Sequence, residues 1–146
     1  MRIERFEELK SWQEARKLLQ MVGRLIEKRS FRRNRGLSWQ MDGAAISTMG
    51  NIAEAHGRYS FEDERRILDI AMGSCKEVQS HLYVALDRSY LGQDEFDEVY
   101  RQADVASQLL AGGLSHLDRQ IGTRVGTKSG SRRKPASLRS DSDFSP

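Results

Sequence analysis

A chain of 146 residues, 38% of them hydrophobic, is one domain's worth of sequence and can bury about two-thirds of its unfolded surface. Its single cysteine excludes an internal disulfide and a cysteine-based zinc site, and no apolar run approaches the roughly 18 residues of a membrane span. The start, Met-Arg-Ile-Glu-Arg-Phe-Glu-Glu, has no apolar stretch of the kind a secretory signal needs, so a soluble cytoplasmic protein is expected.

The net charge of +3 conceals an uneven distribution. Residues 1–60 hold 12 basic against 7 acidic side chains, residues 61–121 hold 6 against 12, and residues 122–146 hold 6 against 2. The high pI therefore comes from the C-terminal stretch and one basic segment rather than from a uniformly basic surface. The two prolines fall in the last dozen residues, which favours long helices over a turn-rich β fold.

In chain order, Leu9, Trp12, Ala15, Leu19, Val22 and Ile26 recur at spacings of three and four and predict a first helix over about 7–29. Residues 28–36, Lys-Arg-Ser-Phe-Arg-Arg-Asn-Arg-Gly, are five-ninths basic and read as a loop closed by the turn residues Asn34 and Gly36. A second helix is predicted over 37–56, with Gly57 placed for a left-handed C-terminal cap. Ser60 fits the N-cap of a third helix over 61–89, whose stripe is Leu68, Ala71, Cys75, Val78, Leu82, Ala85 and Ser89. After a tight connection at 90–94, a fourth helix is predicted over 93–119 on Phe96, Val99, Ala103, Ala106, Leu110, Gly113 and Leu117.

Four such helices with mostly short connections predict an all-α, antiparallel up-down-up-down four-helix bundle over residues 1–121. Residues 122–146 are rich in Gly, Ser, Thr, Arg and Lys and are expected to form a disordered basic tail.

The second helix is crowded with small residues. Glycine inside a helix costs roughly 1 kcal/mol relative to alanine, so Gly43 and Gly50 are expected where neighbouring helices approach closely. Asn51, Glu54 and Arg58 share a face, and Ser74 with Glu77 can oppose them from the third helix. These five are read first as a structural polar layer, with a subunit contact or a ligand contact as the alternatives.

Lys28, Arg29, Arg32, Arg33 and Arg35 surround Phe31, a pattern suited to phosphate contacts with a ring that stacks on a base. The alternative is a solvated loop with Phe31 tucked against the bundle. Arg58 and, in the tail, Arg132, Arg133 and Lys134 are further candidates for nucleic-acid contact, the last three serving equally well for solubility. Cys75 reads as a small core residue, and Trp12 and Trp39 as residues of the core or of a subunit interface. His56, His81 and His116 are scattered without paired ligands, so no metal is expected. The chain has no phosphate-binding glycine loop and no nucleophile motif, and neither a cofactor nor catalysis is expected.

Several ordered motifs resemble those of the 23S rRNA intervening-sequence proteins. They are Leu9, Trp12, Gln13 and Ala15 in the first helix, and Gln40, Ala44, Ser47, Asn51, Ile52, Ala53, Glu54, Gly57, Arg58 and Ser60 through the second. In the third, Ile70, Ala71, Gly73, Ser74 and Glu77 match, and Tyr90-Leu91 fits the turn before the fourth. The resemblance spans about residues 5–118. It implies a non-enzymatic four-helix bundle that assembles as a homopentameric ring and associates with RNA or a ribonucleoprotein. A related branch, the accessory variability determinant of diversity-generating retroelements, implies the alternative of a partner for a reverse transcriptase and nucleic acid. The chain departs from the family pattern at Asp42 and Gly43, where arginines are common, and at Ala55 and Met72. Those changes shift the expected nucleic-acid contacts away from the second helix, toward the 28–36 segment, Arg58 and the tail. The charge split further suggests that a basic face of the first two helices meets an acidic face of the last two on a neighbouring subunit, since head-to-tail contacts of that kind close into rings.

Overall fold

The computed structural model describes residues 3–125, and these contain helices and no strand. A short 3-10 turn at Phe6–Glu8 leads into α1 (Lys10–Ile26); α2 (Arg29–Arg32), α3 (Arg35–His56), α4 (Phe61–Asp87) and α5 (Gln93–Val125) follow. Each long helix packs on two neighbours, in the cyclic order α1, α3, α4, α5, and α2 rests on α1 and α3. Residues 57–60 join α3 to α4 and residues 88–92 join α4 to α5. Connections that short between packed helices force the pairs antiparallel, giving a helical bundle.

The core follows the 3.6-residue period. All the α4 positions from Leu68 to Ala85 in the predicted stripe are buried, as are Phe96, Val99, Ala103, Ala106, Leu110 and Leu117 of α5. Gly113 completes the α5 stripe for a steric reason: a Cβ there would lie 3.0 Å from the Leu68 Cδ2 atom. The α1 stripe is rotated from its predicted position. Its buried centre is Ala15, Leu18, Val22 and Leu25, while Leu9, Trp12, Leu19 and Ile26 are only partly buried. Both sets obey the same spacing, and only the contacts with α3 and α5 choose between them.

Two pairs of polar side chains tie the helices together. The Gln102 amide donates to the Glu14 carboxylate at 2.7 Å, linking α5 to α1, and the Gln79 amide donates to Asp104 at 2.9 Å, linking α4 to α5. The bond from Gln102, aided by Lys17, holds the Glu14 carboxyl below the usual carboxylate range against the opposing effect of burial. Cys75 is fully buried, its thiol donates to the Ala103 carbonyl, and burial pushes its pKa up to about 11, which leaves little thiolate and agrees with a core role.

Helix ends depart from expectation in instructive ways. Ser60 caps α4 as expected, its Oγ accepting from the Asp63 N–H at 3.1 Å. Gly57, however, closes α3 in the right-handed region (φ −77°). The left-handed cap lies instead at Ser89 (φ 60°), after α4 has ended at Asp87. There the Tyr90 N–H donates to the Ala85 carbonyl and the Ser89 N–H to that of Leu86, the pair of bonds that defines a Schellman end. Serine tolerates this geometry less well than glycine, so Ser89→Gly is expected to stabilise the protein by roughly 0.5–1 kcal/mol, read as a higher urea midpoint at unchanged slope.

The last helix continues to Val125 rather than stopping near Arg119. The rest of the expected tail, including Arg132, Arg133 and Lys134, lies outside the described residues. No helix among the described residues is long and apolar enough to cross a membrane.

Candidate nucleic-acid interface

The basic segment is not a loop. After α1 ends, Lys28 is extended (ψ 142°) and caps α2, while Asn34 caps α3 by accepting the Leu37 N–H on its side-chain oxygen at 3.0 Å. Asn34 thus starts a helix where the sequence predicted a turn, and α3 begins at Arg35.

Phe31 holds the segment down. It is fully buried, and its ring lies 5.6 Å from that of Tyr90. It therefore cannot stack on a base, and the expectation of a stacking Phe31 is corrected in favour of a ring tucked into the bundle. Ser30 Oγ donates to the Tyr90 carbonyl at 2.5 Å and Ser38 Oγ to the Phe31 carbonyl at 3.3 Å. Lys28 Nζ reaches Glu95 Oε1 of α5 at 2.5 Å. This bond, with the Gly92 N–H, holds the Glu95 carboxyl below the usual carboxylate range.

One turn of helix thereby sorts the five cations. Lys28 is committed to a bridge between the start of α2 and α5. Arg29, Arg32, Arg33 and Arg35 are exposed, and among the described residues none of the four makes an ion pair. Arg29 and Arg32 on α2, Arg33 just after it and Arg35 at the start of α3 thus place four unpaired guanidinium groups within seven residues, the donor chemistry that suits phosphate oxygens.

Beside them stands Trp39, which is 80% exposed. Of the two places expected for it, core or subunit interface, the core is corrected: the indole lies on the surface of the first turns of α3. Trp39 and Asp42 border two grooves. One, about 560 Å³, is also lined by Ile26, Arg32, Arg35 and Ser38. The other, about 610 Å³, runs along α3 and α4 past Gly43, Ile46, Ser47, Ser74 and Glu77. Nothing in the residue spacing marked Trp39 as exposed, because an aromatic at a helix start reads equally well as core.

The row of small and polar residues on α3 resolves into three parts. Gly43 and Gly50 are exposed, and a Cβ on either meets nothing within 4 Å, so close packing inside the chain does not account for them. The interhelical polar contact is Ser47 to Ser74, Oγ to Oγ at 2.9 Å, steadied by Asn51 Nδ2, which donates to the Ser47 carbonyl at 2.8 Å and hydroxyl at 2.9 Å. Arg58 pairs with Glu54, whose side chain is half exposed, and its Nε lies 3.7 Å from Asp63 at the start of α4. The expected five-residue layer is thus divided: Glu77 is exposed and, among the described residues, hydrogen-bonded to none of the others. Arg58, with two carboxylates beside it, is less free than the four arginines of the α2 segment.

No cluster of His, Cys, Asp and Glu able to hold a metal occurs among the described residues.

A family model described as 23S rRNA-intervening sequence protein matches residues 7–112. A solved structure from Bacteroides thetaiotaomicron VPI-5482, described as a protein of unknown function from the S23 ribosomal protein family, superposes with a TM-score of 0.62. It is 20% identical, and the match covers 72% of this chain and 94% of that one, a likeness of fold. No curated protein matches the chain.

Proposed function

We propose that this chain, which belongs to the 23S rRNA-intervening sequence protein family, is a non-enzymatic bundle that self-assembles and associates with RNA. The observation that carries the RNA reading is the set of four exposed, carboxylate-free arginines on the α2 segment. Their backbone is already held in helical segments, and each guanidinium presents forked donors to phosphate. Family membership makes RNA the polyanion to test first.

Self-assembly is supported by the outer face of α3 and α4. Gly43, Gly50 and Gly73 are exposed with open space where a Cβ would be, and Ile46 and Ile70 on the same two helices are 50% and 46% exposed. Two helix-interior glycines on α3 forgo about 1 kcal/mol each, a loss that close approach of a second subunit offsets. The charge split contributes less than the sequence implied, because part of it is spent inside the chain, in Lys28–Glu95.

Light scattering on the purified chain tests the assembly. A mass several times the 16.7 kDa chain, fivefold for a pentameric ring, is expected, with Ile46→Glu shifting it toward the monomer while helicity is kept. A wild-type monomer at micromolar concentration in low salt overturns the assembly. Purification from the host at moderate salt should recover RNA with the protein, and recovery of protein free of RNA counts against the RNA reading.

A further inference from the structure

We propose that Trp39 is a base-stacking platform, and that the nucleic acid taken by this face is single-stranded. The inference rests on the RNA reading above and specifies the form of the RNA and the residue that recognises it. Trp39 is 80% exposed, whereas Trp12 is partly buried, edge-on to the Phe6 ring at 5.2 Å. An indole is the largest apolar surface a side chain can leave in water, and its exposure on a rigid helix calls for a covering group.

The chemistry of that group follows from the groove. Arg32 and Arg35 line it together with Trp39, and neither guanidinium is paired within the described chain. A ligand covering the indole therefore meets two free cations in the same groove of about 560 Å³. Flat π surface joined to anionic groups is the chemistry of a nucleotide chain. Asp42 is on the same groove wall, and its carboxylate repels phosphate. The backbone is thus kept to the arginine side and the base is turned toward the indole. In a duplex the faces of the bases are covered by each other, so the indole has nothing to stack on; an unpaired base offers its face freely. An apolar side chain from a second copy is the competing occupant. On the side of the indole that borders Gly43 and Ile46 such a contact belongs to the assembly proposed above; on the Arg32 and Arg35 side it is disfavoured, because it would leave both guanidinium groups facing an apolar partner.

The test uses the full chain, a short mixed-sequence single-stranded RNA, and the duplex it forms with its complement. Single strand is expected to quench tryptophan emission. Trp39→Leu is expected to weaken single-strand binding by roughly 5- to 150-fold, the range for loss of one aromatic platform, to leave duplex affinity unchanged, and to abolish the quench. Trp39→Phe, which keeps a ring, should retain much of the affinity. Because the side chain is outside the core, both variants should keep the wild-type helicity and urea midpoint. If Trp39→Leu weakens neither form, or both alike, while removal of the arginines weakens both, RNA association stands and the stacking proposal is overturned. A changed molar mass in Trp39→Leu without an RNA effect assigns the indole to a subunit contact and also overturns it. Failure of the wild-type chain to bind either RNA overturns this proposal and the reading it rests on together.

Discussion

Replacing Phe31 by alanine is expected to destabilise the protein by about 3–5 kcal/mol, roughly a fifth or more of the stability typical of a domain this size. The ring is fully buried, packs near Tyr90, and is the main apolar anchor of α2. Its removal leaves a cavity and also loosens the bonds from Ser30 to the Tyr90 carbonyl and from Ser38 to the Phe31 carbonyl. Urea denaturation should show a lower midpoint with an unchanged slope. RNA affinity of the folded fraction should fall only as far as the arginines lose their fixed positions. A stability change within about 0.5 kcal/mol, the range of ordinary surface substitutions, accompanied by a large loss of RNA affinity, would sink this assignment and restore the ring to the interface.

The second large effect concerns salt. If Arg29, Arg32, Arg33 and Arg35 each neutralise one phosphate of a single strand, the affinity should fall with salt at a slope of about −0.7 per phosphate on a log–log plot. Four contacts give a slope near −2.8, or roughly a 50-fold loss between 50 and 200 mM salt. Changing all four to glutamine is expected to flatten that slope and to remove most of the binding at low salt. Stability should hardly move, since none of the four makes an ion pair among the described residues. Lys28→Gln is the contrasting variant. Lys28 is held by Glu95, so its loss should cost within about 1 kcal/mol of stability, as for other partly exposed ion pairs, and leave the slope almost unchanged. An unaltered slope in the four-arginine variant, or binding insensitive to salt, removes the basic segment from the interface.

The two predictions divide five cations and one ring that the sequence presented as a single patch. A run such as Lys-Arg-Ser-Phe-Arg-Arg-Asn-Arg-Gly reads as a loop because its charge dominates its hydropathy. One phenylalanine is enough to reverse that once the turn between α4 and α5 supplies Tyr90 as a neighbour. Glu95 lies 67 residues from Lys28 in the chain, and no local pattern announces the pair. The glycines of α3 show the converse. Their cost in helix propensity was legible, but whether the compensation comes from inside or outside the chain depends on which way the helix faces. Both glycines turned out to face open space.

By itself the sequence determined the four long helices and most of their buried faces. Periodicity is a local property, and a stripe such as Leu68-Ala71-Cys75-Val78-Leu82-Ala85 has one way to bury itself. It also determined the family, through motifs that keep their order from the first helix to the fourth. Tertiary structure alone decided which of two equally spaced α1 stripes lies at the centre, that Phe31 is core while Trp39 is in solvent, and that Ser47 meets Ser74 between α3 and α4 while Glu77 stands apart from the expected layer. Each of these depends on the rotation of one helix against another. That rotation is set by the fit of the whole core and not by the spacing within any one segment.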